Sequence, residues 1–410
     1  MSEQLDRPQA LLVGEEIFLR PLELTDAQTA AIWSASPWPA PPDIVKEHIE
    51  QELGSNIGAE FQQQQFLVCL RADQTPVGSV TMTYARQQGA LLRFALGPIR
   101  THDDWAWLCS QTVPAVLPWL IDDRSIMSVR FEFPGEHPLV DRMAAQLGIR
   151  RCFRIRERNL LGGTRYDTIG YQAFHPAWVE KLGAPPEMSA GTDERESPAS
   201  VPQAGTPRYT VPPSAIVAGE RLYLRAFSGE DAERAARGML SETEVSFAEG
   251  RMIFNPHISA QFARERARRQ PPSWARFAIV VGETGEAIGA NGLIELNMLE
   301  RSAETETAIW SAAHRGQGYG TEAKHLLLHY AFDVLGLHMV CSWISDFNQR
   351  SVAAIRKQGY RDAGYIAWCD YHGTDLYGSY CFDLLASEWR AARSQHAARG
   401  RQQAEDGSPP

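Results

Sequence analysis

Paired cysteines are missing from this chain of 410 residues: Cys69, Cys109, Cys152, Cys341, Cys369 and Cys381 stand alone, with no Cys-x-x-Cys among them. Most lie inside apolar runs such as Val68-Cys69-Leu70, the habit of small buried hydrophobes in a reducing compartment. The eleven histidines form no His-Glu-x-x-His and no spacing shared with cysteine, so no metal site is expected. A Gly-x-Ser-x-Gly elbow for serine hydrolysis is likewise missing. No apolar run approaches the roughly 18 residues that a membrane span requires. Met1-Ser2-Glu3-Gln4-Leu5-Asp6 has no basic stretch followed by an apolar one, so no signal peptide is read there. Positive charge is not in excess: 40 Lys and Arg against 50 Asp and Glu leave a net charge of -10. That balance argues against a nucleic-acid partner and tolerates cationic acceptors such as amines. The expectation is a soluble cytoplasmic protein with no metal, membrane or nucleic-acid partner.

What is present points to two domains, which the length accommodates. Residues 183–214 are rich in Pro, Ser, Gly and Ala, with little to bury, and read as a linker. Residues 391–410 read as a polar, disordered tail. The flanks, 1–182 and 215–390, resemble each other. Gly14-Glu15-Glu16-Ile17-Phe18-Leu19-Arg20, ahead of Asp26, matches Gly219-Glu220-Arg221-Leu222-Tyr223-Leu224-Arg225, ahead of Asp231, at an offset of 205 (219 minus 14). Phe66-Leu67-Val68 matches Phe277-Ala278-Ile279 at an offset of 211 (277 minus 66), and Gly148-Ile149 matches Gly359-Tyr360 at the same offset. These matches, in one order, indicate duplication of a domain. Each copy reads as a strand, one or two helices, three strands, a longer helix, a strand, a helix and two final strands. That is an α/β fold, an α+β sandwich with helices on both faces of a sheet.

The sharpest local signal follows the strand end Ala308-Ile309-Trp310. There Arg315-Gly316-Gln317-Gly318-Tyr319-Gly320-Thr321 leads into a helix that is apolar at helical spacing. Alternating glycines between strand and helix let backbone N–H groups turn toward one point, and the helix N-terminus adds positive charge, which suits a phosphate. Arg315 adds a charged donor. A second motif, Asn348-Gln349-Arg350-Ser351 through Gln358-Gly359-Tyr360, opens a later helix, and Leu384-Leu385-Ala386-Ser387-Glu388-Trp389 closes the unit.

Loop, second motif and closing segment together resemble the GNAT superfamily of N-acetyltransferases, within it the branch of the ribosomal-protein N-terminal acetyltransferases. The likeness spans Gly219 to Trp389. It implies two GNAT-type domains, each with a mixed, mostly antiparallel sheet, and acetyl-CoA as co-substrate. An amine of a small molecule or of a peptide or protein N-terminus would be the acceptor, with the chain a monomer or homodimer. Under it, Arg315, Gly316, Gln317, Gly318, Tyr319, Gly320 and Thr321 hold the pyrophosphate, and a backbone N–H near Ala308, Ile309 or Trp310 polarises the thioester. Ser351 protonates the thiolate, with Tyr360, Tyr365 and Tyr380 as alternatives, and Asn348 binds near the pantetheine arm or simply caps its helix. The family's glutamate, ten residues ahead of the arginine, would fall on Thr305. A bulge would bring in Glu306, favoured, or Glu304, with Glu295 an outside candidate.

In the first copy no glycine occurs between Gly97 and Gly135, and Asp103 and Asp104 stand where an anion should be welcomed. At the 211 offset His137 replaces Asn348 and Val140 replaces Ser351. The first copy is therefore expected to be degenerate, and an acyl-CoA sensor without catalysis is the alternative function.

Overall fold

The computed structural model describes residues 10–34, 39–55, 63–85, 89–97, 101–186, 205–241, 255–268, 272–310, 312–372 and 375–394. Met1 to Asp6, Pro98 to Arg100, most of the linker (187–204) and most of the tail (395–410) lie outside them. The chain divides into two compact units, the first Met1–Ala190 with Tyr365–Asp370 and Leu376–Gly378, the second the remainder. Within the first unit, the Gln172 side chain donates to the Ala367 carbonyl (2.7 Å) and accepts from its N–H (3.2 Å).

In the first unit the strands are β1 (Leu12–Val13), β2 (Ile17–Pro21), β3 (Gln63–Leu70), β4 (Pro76–Ala85), β5 (Gly89–Ala95), β6 (Ser128–Pro134), β7 (Arg150–Leu161) and β8 (Thr164–Phe174). They run in the order β1-β2-β3-β4-β5-β6-β8-β7. The helices are α1 (Ala30–Trp33), α2 (Pro42–Ser55), α3 (His102–Pro118), α4 (Pro138–Gln146) and α5 (Pro176–Leu182). The second unit has β9 (Val217–Ala218), β10 (Leu222–Ala226), β11 (Trp274–Val281), β12 (Ala287–Asn297), β13 (Ser302–Ile309), β14 (Met339–Ser345) and, apart from the two segments that group with the first unit, β15 (Arg361–His372) and β16 (Asp375–Leu385). Its order, β9-β10-β11-β12-β13-β14-β16-β15, is that of the first unit. Its helices are α6 (Gly229–Ser241), α7 (Pro256–Arg268), α8 (Tyr319–His329) and α9 (Gln349–Lys357). In each unit the described ladders are antiparallel except one parallel pair, β5 with β6 and β13 with β14. A helix, α3 or α8, makes each parallel crossover, as a parallel pair requires.

Alternation along the strands of the second unit builds its two layers. Leu222, Leu224, Phe277 and Ile279 pack with Leu326, Leu327 and Phe332 from the α8 segment and with Val352 and Ile355 of α9. Tyr223, Ala278 and Val280 face the other way and pack with Ala235 of α6. Burying each large apolar side chain contributes about 1.5–3 kcal/mol. The α3 and α8 segments each end in a π-helical turn, Trp119–Asp123 and Tyr330–Val334.

The matched sequence segments also make the same bond. Arg20 grips Asp26 through two N–H···O bonds of 2.7 Å, and Arg225 grips Asp231 at 2.6 and 2.9 Å. In each case the carboxylate also accepts a backbone N–H three residues back, from Glu23 or Ser228 (both 2.8 Å). Burial pushes the Asp231 carboxyl up, but the Arg225 and Ser228 bonds outweigh it and hold it below the usual carboxylate range.

Candidate active site

Strands β13 and β14 pair over only three positions, Ser302↔Met339, Ala303↔Val340 and Glu304↔Cys341. At the next step side chains replace the ladder: Thr305 Oγ1 donates to the Cys341 carbonyl (3.3 Å) and Ser342 Oγ to the Thr305 carbonyl (3.1 Å). Beyond it β13 keeps its register with β12 to Ile309, and β14 keeps its register with β16 to Ser345. The two strands part, and the gap is a cavity of about 730 Å³. Its walls are β13, β14, the glycine loop with the start of α8, and α9.

The direction of the strand's N–H groups follows from one bond. Trp310 N–H donates to the Ile288 carbonyl of β12 (2.9 Å), away from the gap. Alternation turns the N–H groups of Thr307 and Ile309 to the opposite edge, where β14 has left. Of the expected backbone donors, Ile309 therefore faces the gap, and Ala308 and Trp310 do not. Trp310 is instead buried edge-on against Phe227, with ring centroids 6.3 Å apart.

At the mouth, Gly316 (φ 76°) and Gly318 (φ 80°) take the left-handed conformation, which explains glycine at both. Helix α8 starts at Tyr319, and its first intrahelical bond runs from Glu322 N–H to the Gly318 carbonyl (3.1 Å). The N–H groups of Tyr319, Gly320 and Thr321 precede that ladder and form an anion-binding helix end. Arg315 lines the cavity and also braces the loop. Its guanidinium donates to the carbonyls of Ile309 (3.1 Å) and Trp310 (3.0 Å), tying the loop to the strand end. Gln317 holds the loop through its own Nε2, which donates to the Ala313 carbonyl (2.5 Å). A second cation beside the glycines is Arg221, unsuspected from the sequence. It donates to the Gln317 carbonyl (3.0 Å), pairs with Glu322 (2.8 Å) and lies 4.7 Å over the Tyr319 ring. The repeat held the signal, since the 205 offset sets Arg221 opposite Glu16.

On α9, Asn348 accepts the Ser351 N–H (3.2 Å) and caps the helix. Both residues line the cavity. None of the three tyrosines does. Tyr360 is buried, its hydroxyl 2.9 Å from Thr305 Oγ1, and burial pushes it well above the usual phenol range.

Glu304 and Glu306 both line the cavity from one face of a regular β13. The bulge expected between them lies on β12 instead, where pairing moves from Ile294↔Glu304 to Asn297↔Ser302. Glu295 sits in that bulge at φ 48°, exposed and off the cavity wall. Glu306 Oε1 forms an ion pair with Arg276 Nε (3.2 Å), and Arg276 stacks over Phe227 and Trp274 at 4.7 and 5.4 Å.

Lys324 was also overlooked. It is 6% exposed, yet it lines the cavity. Desolvation pushes its ammonium down to about 8, while Glu306 and Glu304 draw it back up. Among the described residues no group of three or more His, Cys, Asp or Glu could hold a metal, and no helix is long and apolar enough to cross a membrane.

The first unit carries other side chains at the start of α3 and α4. His102, first residue of α3, has Nε2 2.5 Å from the Pro134 carbonyl and stacks on Tyr166 at 4.6 Å. His137 meets its edge at 5.3 Å and pairs with Asp103 (3.0 Å), and Val140 is fully buried. Trp105, Trp107 and Trp119 pack against the core of that unit.

Comparison with known proteins bears on residues 221–361, which match the family described as acetyltransferase (GNAT) domain. The uncharacterized N-acetyltransferase p20 of Bacillus licheniformis is 27% identical over 175 residues, 42% of this chain and 96% of that protein. The uncharacterized N-acetyltransferase YnaD of Bacillus subtilis is 26% identical over 81 residues, 20% of this chain and 48% of that protein. Among solved structures, a chimera of spermidine N-acetyltransferase SpeG from Vibrio cholerae is 20% identical, with a TM-score of 0.38, over 42% of this chain and 98% of that one. The segment that carries the glycine loop, the parted strands and α9 is thus the one that matches the acetyltransferase (GNAT) domain.

Proposed function

We propose that the second unit transfers the acetyl group of acetyl-CoA directly to the amine of a small molecule or of a peptide or protein N-terminus. The observation that carries this reading is the gap between β13 and β14 with a glycine-shaped helix end at its mouth. The chemistry of those groups fits the co-substrate. N–H groups of Tyr319, Gly320 and Thr321, the loop of Gly316 and Gly318, and Arg221 take the pyrophosphate. Thr307 and Ile309 offer backbone N–H groups to the thioester oxygen, in the manner of an oxyanion hole. Glu304 and Glu306 receive the acceptor's ammonium, and one takes its proton. Ser351 donates a hydrogen bond toward the sulfur, with its helix end fixed by Asn348. In this reading the protein works in the cytoplasm as a monomer or homodimer.

We also infer that 1–182 and 215–390 are copies of one domain, joined by 183–214 and followed by the tail 391–410. The shared strand order and the two Arg–Asp grips support this. His102, Tyr166 and His137 at the start of α3 support a first copy without a donor site.

The test is calorimetric titration of the full chain with acetyl-CoA, followed by a scan of polyamines, amino-acid derivatives, aminoglycosides and peptide N-termini for free-thiol release. Binding with thiol release supports the enzyme. Binding with no release from any amine class would favour an acyl-CoA sensor, and no binding would sink the reading.

A further inference from the structure

Lys324 has no packing reason to be a lysine. It lies four residues past Gly320, about one helical turn inward from the glycine loop, between Ala323 and the core residues Leu326 and Leu327. The Ala323 carbonyl is already satisfied by Asn291 Nδ2 (2.8 Å). At the 211 offset the first unit has Val113, 1% exposed, in the same helix of the same strand order. An apolar side chain therefore satisfies this place in the fold. In the second unit the residue is a lysine, 6% exposed, that lines the cavity and makes no hydrogen bond to a described residue. Desolvating an ammonium is expensive, and its place on a cavity wall points to a ligand group that meets it.

Six other charged or titratable groups line the cavity: Glu304 and Glu306 from β13, His314 and Arg315 from the loop, Arg350 and Lys357 from α9. β14 adds none. Glu304 and Glu306 are the groups whose charge acts on Lys324, and they alone favour its protonated form. Helical side chains lean toward the helix N-terminus, so Lys324 leans back toward the mouth and the gap. The chain of a bound acyl-CoA would pass there.

We propose that Lys324 is a catalytic residue, whose ammonium gives the departing CoA thiolate its proton. This rests on the reading of the cavity as the acetyl-CoA site. The acceptor nitrogen attacks the thioester carbon, the C–N bond forms, and the C–S bond breaks with its electron pair left on sulfur. A proton moves from Nζ to that sulfur, leaving a thiol and a neutral amine. Two opposite charges vanish together in a place where burial penalises both. The surplus proton on the acceptor nitrogen passes to Glu304 or Glu306 and from there restores the ammonium. Burial brings the Lys324 ammonium down to about 8, near working pH, where a general acid is most effective. Ser351 then orients the sulfur without a net proton transfer.

The test uses the full chain with Lys324→Met, which keeps bulk, and Lys324→Arg, which keeps charge. Affinities for CoA and desulfo-CoA are compared by calorimetry. The native protein and Lys324→Arg should prefer CoA by about fivefold or more, and Lys324→Met should bind both alike. Thiol release from acetyl-CoA is then followed from pH 6 to 10 with the amine that turns over fastest. The ratio of the native rate to that of Lys324→Met, in which the acceptor's own deprotonation cancels, should be on the order of a hundred at pH 7 and fall about tenfold per pH unit above about 8. The ratio of Lys324→Arg to Lys324→Met should lack that fall. An unchanged CoA preference in Lys324→Met, or a native-to-Lys324→Met ratio that stays constant above pH 8, overturns the proposal. Failure of the native protein to bind acetyl-CoA would overturn the reading of the cavity instead.

Discussion

Replacing Lys324 by methionine should make the protein more stable. In water the lysine ammonium holds its proton to pH 10.5; in the folded cavity it holds it only to about 8. At about 1.36 kcal/mol per pH unit, carrying that charge at neutral pH costs the native state about 3 kcal/mol. The sign follows from proton binding. Between about 8 and 10.5 the unfolded chain binds this proton more tightly, so stability rises with pH through that window and is lowest, by this residue, below about 8. Methionine fills the same space with no charge to desolvate, as Val113 does in the first unit. Denaturant unfolding of both proteins at pH 7 should give the variant about 3 kcal/mol more stability, and the gain should shrink toward zero by pH 10.5. Calorimetry at pH 7 should show the corresponding transition raised by roughly 6–12 °C. Equal or lower stability at pH 7 would refute the reasoning, and so would a gain that persists undiminished at high pH.

Gly318→Asp should abolish acetyl-CoA binding in calorimetry, because it sets a carboxylate at the anion-binding end of α8 on a backbone of φ 80°; retained affinity would remove the loop assignment. Asn348→Ala should cost about 1 kcal/mol in denaturant unfolding, as loss of a helix cap does. Asp231→Ala leaves Arg225 unpaired beside the second unit's core and should cost about 3–5 kcal/mol. Because the Asp231 carboxyl is held below its ordinary value of 3.8, its stabilisation is present above that pH and is lost as acid protonates it; in the variant, that part of the acid-unfolding slope should disappear. Titration of the whole chain should saturate at one acetyl-CoA per chain, and a second equivalent would show that His102 and Tyr166 do not fill the first site.

Local signals made much of this legible. Gly316 and Gly318 are glycines because of their own backbone angles, and the helix after them is apolar at its own period, so strand, loop and helix could be placed in order. The Arg20–Asp26 and Arg225–Asp231 grips span six residues and surfaced as a sequence repeat. What stayed hidden depends on partners far along the chain. The direction of Trp310 N–H is set by Ile288, the work of Arg315 by the carbonyls it reaches, and the company of Glu306 by Arg276 on another strand. Lys324 read as one polar residue among leucines, because a helix start tolerates lysine and only the packed β13 reveals that this one is buried. The bulge was expected on the strand with the glutamates and belongs to its neighbour, a matter of pairing that no single strand encodes.

Three rungs fasten β13 to β14 before they part, and this gives the sheet two kinds of amide within four residues of one strand. Trp310 N–H is locked in the ladder to Ile288, whereas those of Thr307 and Ile309 open into the gap. In hydrogen–deuterium exchange they become neighbouring clocks, one slow whatever the gap holds, two running at a speed set by its occupant. The sheet thus carries its own gauge of occupancy, readable residue by residue, with no label and no need to know which amine the protein accepts.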